Sequence, residues 1–224
     1  MKSMKIKMEQ SRHRASGFSL IEMMIVVAIL LIMAGVSIFT LMPALRQQHV
    51  TNAYNTSMAA MRLARDSAVA QQTSYEVDFA HFVAPNTLDT ITVKPTFAGA
   101  GFQGEQQTTT YQLPLDVKFD AEPSLPAAAP DGYGAGTVAI DFGYTASGAG
   151  TGGAPTIYFC PDGSAEAASP VGGTCTANWS GGAVYLALPG NLMSSRALTL
   201  WGATGRIHGW RLVTKGGVNS WQRQ

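Results

Sequence analysis

The pattern of apolar and polar positions changes character twice along the chain. From Met23 to Met42 there are 20 consecutive residues without a charge, the length a helix needs to cross a hydrocarbon core of roughly 30 Å. From residue 44 to 72 there is neither glycine nor proline. Apolar or small residues recur there at Val50, Tyr54, Ser57, Met58, Met61, Ala64 and Ala68, a spacing that predicts an amphipathic helix with one packed face. Arg46, Arg62 and Asp66 fall on its other faces. Together these runs predict one helix from near Phe18 to near Gln72, about 80 Å long at 1.5 Å per residue. Pro43 removes one backbone donor and is expected to kink or open it.

From Ser74 onward the period shortens to that of strands, broken by clusters of Gly, Pro, Ala and Asp. The expected strands are 74–80, 88–94, 110–119, 137–142, 156–160, 183–188, 196–201 and 206–213. The stretches 95–107, 121–136 and 143–155 read as surface loops or insertions. A helix followed by a run of strands predicts an α+β fold, with antiparallel sheets packed on the helix.

The net charge of +1 hides three blocks. Residues 1–17 carry Lys2, Lys5, Lys7, Arg12 and Arg14 against Glu9. Residues 18–166 hold five basic and thirteen acidic residues, and residues 167–224 hold five basic residues and no acid. A basic flank ahead of an apolar span keeps the N-terminus cytoplasmic and exports the rest. Export permits a disulfide between the two cysteines, Cys160 and Cys175. The competing reading is two separate buried thiols.

Three ordinary readings of the N-terminus fall short. The apolar run exceeds that of a secretory signal, no cysteine marks a lipoprotein cut, and a plain anchor gives no reason for Glu22. A carboxylate at the edge of a membrane span is costly and wants a partner. If the chain is cut after Gly17, the new α-amine of Phe18 lies four residues before Glu22, and the amine of a neighbouring subunit would neutralise it. Snorkelling to the headgroups is the alternative.

Gly17-Phe18-Ser19-Leu20-Ile21-Glu22-Met23-Met24 resembles the prepilin cleavage and methylation motif of type IV pilins and type II secretion pseudopilins. The resemblance implies cleavage between Gly17 and Phe18 by a prepilin peptidase, N-methylation of Phe18, and Glu22 as the residue that guides assembly with other pilins in the inner membrane. Ser19 departs from the threonine commonest in that family. Ile157 to Ser164, Arg196 to Leu200 and Thr204-Gly205-Arg206-Ile207 are similar to the C-terminal domain of the GspH/FimT minor pseudopilins and minor pilins. The expected organisation is a leader at 1–17, a membrane or filament-core helix at 18–43, its amphipathic continuation at 44–73, and a periplasmic β-rich domain at 74–224.

Other motifs dissolve on inspection. Gly148 to Gly153 spells GxGxxG but precedes Pro155 and a strand instead of opening a helix. Asp141-Phe142-Gly143 lacks every companion of the kinase triplet. His13, His49, His81 and His208 have no partner at metal-ligand spacing, and Asp116, Asp120, Glu122 and Asp131 read as solvated acids before calcium ligands. No catalytic constellation and no cofactor is expected. The acid-free end interleaves Arg206, His208, Arg211, Lys215 and Arg223 with Trp201, Trp210 and Trp221, the composition of a nucleic-acid surface. Some FimT-like minor pilins bind DNA through a region that Gly205-Arg206-Ile207-His208 resembles. The competing reading makes the tryptophans core or interface residues.

Overall fold

A computed structural model of the chain describes residues 18–83, 87–96, 108–145, 150–171 and 174–224. The expected leader at 1–17, and with it Gly17 and His13, lies outside the described residues, as do 97–107 and 146–149 of two expected loops. The chain divides into two compact units, residues 1–43 and 44–224.

A single helix, α1 (Leu20–Gln71), carries Pro43 within its 52 residues. The boundary between the units falls directly after that proline. In the first unit the large apolar side chains are exposed from Phe18 through Ile38 and again at Leu41 and Met42, and this is a helix long and apolar enough to cross a membrane. In the second unit Val50, Ala53, Tyr54, Ser57, Ala60, Met61, Ala64 and Ala68 are buried. They form the one-sided stripe that the spacing predicts, widened by the two alanines.

Two antiparallel sheets follow. The first has the order β3 (Thr109–Gln112), β2 (Thr90–Thr96), β1 (Ser74–Ala80), β7 (Thr156–Phe159), β8 (Ala165–Glu166). Alternate residues Val77, Phe79, Ile91, Val93, Ile157 and Phe159 enter the core shared with α1. The second has the order β12 (Val218–Arg223), β11 (Arg206–Lys215), β10 (Asn191–Trp201), β9 (Gly181–Leu188), β5 (Ile140–Tyr144), β6 (Gly150–Ala154), with β4 (Lys118–Phe119) also on β9. Every residue of β9 is buried. Val184, Leu186 and Leu188 face the main core, whereas Ala183 and Tyr185 join a second cluster with Tyr133, Ala197, Trp201, Trp210 and Trp221. The segment around the 3-10 turn Pro130–Gly132 supplies Tyr133 to that cluster.

The expected strands shift in places. The run 110–119 is two strands, because Leu113-Pro114 ends the first and Val117 N donates to the Pro114 carbonyl in a turn at 3.0 Å. Within 143–155, read as a loop, Gly150–Ala154 forms β6 against β5. Asp141 holds that glycine strand, its Oδ1 accepting from Gly153 N at 2.6 Å. The end of the chain adds β12 through a two-residue turn, with Lys215 opposite Val218. Gly216 and Gly217 have φ of +60° and +80°, the left-handed pair a hairpin of this kind requires. Cys160, at the end of β7, is disulfide-bonded to Cys175, closing the segment that contains β8.

Candidate assembly segment and cationic clefts

Phe18 and Ser19 precede the first helical residue, and Glu22 lies in the first turn. Met23 N donates to the Ser19 carbonyl at 3.2 Å, so Ser19 stands at the N-cap and Glu22 three residues after it. Ser-x-x-Glu at these positions is the spacing of a capping box, and a carboxylate here also complements the positive end of the helix dipole. This local role adds to the one implied by the prepilin resemblance. Glu22 is exposed, and among the described residues it forms no ion pair.

The basic C-terminal residues do not form one surface. Antiparallel register sets Thr199 opposite His208, Ala197 opposite Trp210, and Arg196 opposite Arg211. Strand alternation sends His208 and Trp210 to the face of the second cluster and Arg211 to the other face. His208 Nδ1 bonds Asp131 Oδ2 at 2.9 Å, and that ring is only 11% exposed. Its Nε2 is buried. The same Asp131 oxygen accepts from the Thr199 hydroxyl at 2.5 Å, and the Trp210 indole N–H donates to Thr199 Oγ1 at 3.0 Å. Burial alone would raise the Asp131 carboxyl, but the hydrogen bonds from Thr199 and His208 outweigh it and hold the group below its ordinary value. Tyr133, above this network, is pushed up to about 12 by burial and by Asp131, so its phenol is neutral at any physiological pH.

The tryptophans expected to stack on bases are packing residues. Trp201 meets Tyr133 with ring centroids 5.7 Å apart, and Trp221 meets Tyr185 at 5.8 Å. Lys215 is exposed beside the terminal turn. Arg206 joins Arg62, Arg65, Arg223 and the largely covered His208 around a cleft of about 300 Å³ with Asp66 the one acid in its lining. Arg65 is partly occupied there, Nε donating to the Gly163 carbonyl and Nη2 to that of Thr204, both at 3.3 Å. Sequence reasoning placed Arg62 on a solvent face and did not join it to Arg206. Both fall in line only once α1 is laid on the hairpin β10–β11.

Several of the scattered carboxylates have partners within the chain. Asp116 pairs with His49 at 2.9 Å. Glu122, buried, accepts from Gly190 N at 2.6 Å. Asp89, fully buried, accepts from Phe119 N at 2.7 Å and from Phe82 N at 3.0 Å, and pairs with His81 and Lys118. Among the described residues the one grouping with metal-ligand proximity is Cys160, Glu166 and Cys175. Its sulfurs are joined to each other, and Glu166 accepts from the backbone and hydroxyl of Thr176 at 3.0 Å. A disulfide offers no thiolate, so the group is a structural clasp.

Residues 12–38 match the family described as the prokaryotic N-terminal methylation motif. No curated protein matches the chain, and no solved structure does. The match runs from Arg12 through the first turns of α1, the region that carries Phe18 and Glu22. The chain thus carries a prepilin-type N-terminal methylation motif of the type IV pilin kind, and its long N-terminal helix followed by antiparallel β sheets is an α+β architecture of the pilin-like kind.

Proposed function

We propose that the chain is a minor pseudopilin of the GspH/FimT kind, which assembles into a type II secretion pseudopilus and has no chemistry of its own. The observation that carries this is the methylation motif at 12–38 running into a helix whose large apolar side chains lie exposed from Leu20 to Ile38. Such a surface needs a membrane before assembly and neighbouring helices after it. Prepilin peptidase cuts between Gly17 and Phe18, Phe18 is N-methylated, and Glu22 meets the Phe18 amine of an adjacent subunit. The leader is 1–17, the membrane or filament-core segment 18–43, its continuation 44–73, and the periplasmic domain 74–224. The division of the chain after Pro43 agrees with this organisation. Before assembly the protein spans the bacterial inner membrane once, N-terminus in the cytoplasm.

The test compares culture-supernatant proteins from a parent strain and a strain lacking the gene. The proposal expects a set of exported proteins to be retained in the periplasm of the deletion strain. An unchanged supernatant overturns the secretion role.

A second reading, a type IV pilus minor pilin that captures DNA, is favoured by the cleft of Arg62, Arg206 and Arg223. Guanidinium groups around a groove neutralise phosphates and make binding salt-dependent. His208 reaches this cleft only with a largely covered ring held by Asp131, and the tryptophans are packed inward, so this contact would be with the DNA backbone and indifferent to base sequence. DNA retention by the full chain that falls with Arg206→Gln, but not with Lys215→Gln, would favour it over the secretion role.

A further inference from the structure

The register between β10 and β11 sets Arg196 directly opposite Arg211, an arrangement in which like charges repel. Arg196 is 6% exposed. Its Nη1 donates to the carbonyls of Ser194 and Ser195 at 3.3 and 3.2 Å. Among the described residues no carboxylate lies within ion-pair distance of either arginine. Burial, and then the neighbouring Arg211, pushes the Arg196 guanidinium below its ordinary value. A buried cation facing a second cation is a costly arrangement that an anion relieves.

The pair opens onto a cleft of about 590 Å³, larger than the one around Arg206, and shared with Gln47 and Thr51 of α1 and with Met193 and Val213. Guanidinium forks and an amide suit a carboxylate bidentately. Met193 and Val213 offer nothing to a small hydrated ion, but they do offer packing to a side chain carried on a peptide. The charge layout favours such a partner: residues 18–166 hold thirteen acids against five basic residues, and residues 167–224 hold five basic residues and no acid. Contacts between the acidic part of one subunit and the acid-free part of the next are therefore complementary, and such head-to-tail contacts propagate filaments.

We infer that Arg196 and Arg211 form a docking site for a carboxylate side chain on an acidic segment of a neighbouring subunit. This rests on the filament-subunit reading above. The experiment uses the full chain, made in cells with a prepilin peptidase and purified in detergent. It is titrated with an acetylated, amidated tri-glutamate peptide, with tri-lysine and with inorganic phosphate. The tri-glutamate peptide should bind and raise the melting temperature, and tri-lysine should not. Arg211→Gln, at an exposed position, should weaken peptide binding about tenfold. It should leave the melting temperature of the free chain unchanged or raised, because it removes a repulsion. Arg196→Gln risks the fold, so Arg211→Gln decides. Failure of tri-glutamate to bind overturns the inference, and so does phosphate binding equally well, which would make the cleft a phosphate site for nucleic acid or lipid headgroups. A lowered melting temperature with unchanged peptide binding would make the pair a structural element of this chain alone. The N-terminal mass of the same preparation reports on the filament reading separately: a chain still starting at Met1 removes that reading without touching the titration.

Discussion

Gly205, in the β10–β11 turn, sits against the Gly163 carbonyl and the Arg65 side chain of α1. Its φ is +58°, and a Cβ there would collide with the Gly163 carbonyl and stand 2.8 Å from Arg65 Nε. Gly205→Ala is therefore expected to destabilise the second unit by about 1–3 kcal/mol, read as a shift in the urea unfolding midpoint. The same residue opens Gly205-Arg206-Ile207-His208, the segment that resembles a DNA-binding element, so loss of binding in a glycine variant would report folding before recognition. Asp131 carries a pH dependence with a definite sign. Its folded value lies below its ordinary 3.8, so its contribution is fully present above that value and is lost as pH falls from about 3.8 toward the folded value. Asp131→Asn should lower stability at neutral pH and flatten the acid limb of the stability curve, measured by thermal melts between pH 2 and 7. An unchanged acid limb would mean that the Thr199 and His208 contacts do not hold the carboxylate in solution.

At the scale of elements, the disulfide joins residues 15 apart across the β8 segment. In the chain-entropy account a loop of that size is worth about 3 kcal/mol. Cys160→Ser with Cys175→Ser is expected to lose about that much, with native β content retained, and reductant should have the same effect on the native chain. The helix was legible because two signals agreed: an uninterrupted apolar run, then a stripe at three- and four-residue spacing whose Val50, Tyr54, Met61 and Ala64 are all buried. Strands β1 and β7 were legible from their alternation. Strand β6 was not, because glycines carry no alternation and the strand is held by Asp141 from its neighbour. Strand β12 was missed for a different reason. It is an edge strand whose Asn219, Ser220 and Gln222 give no apolar period, yet Gly216-Gly217 was a hairpin signal available in the sequence. Counting back from the β10–β11 turn would likewise have set Arg196 against Arg211. The burial of His208 was not available in that way, since Asp131 lies 77 residues distant in sequence.

For the whole molecule, the two units answer to different solvents. Residues 44–224 enclose their own core, whereas the first unit leaves residues such as Leu20, Ile25, Leu31 and Ile38 more than half exposed. No folded aqueous monomer accounts for that surface, and a bilayer or a bundle of like helices does. The methylation motif at 12–38 ties this unpartnered helix to processing, and processing is the step on which the filament account depends. The most direct test is a mass spectrum of the N-terminal peptide of the protein isolated from membranes. The account predicts a mature chain that begins at N-methylated Phe18, and a Gly17→Trp variant that retains the leader. A native chain that still begins at Met1, with Phe18 internal and unmethylated, would contradict it.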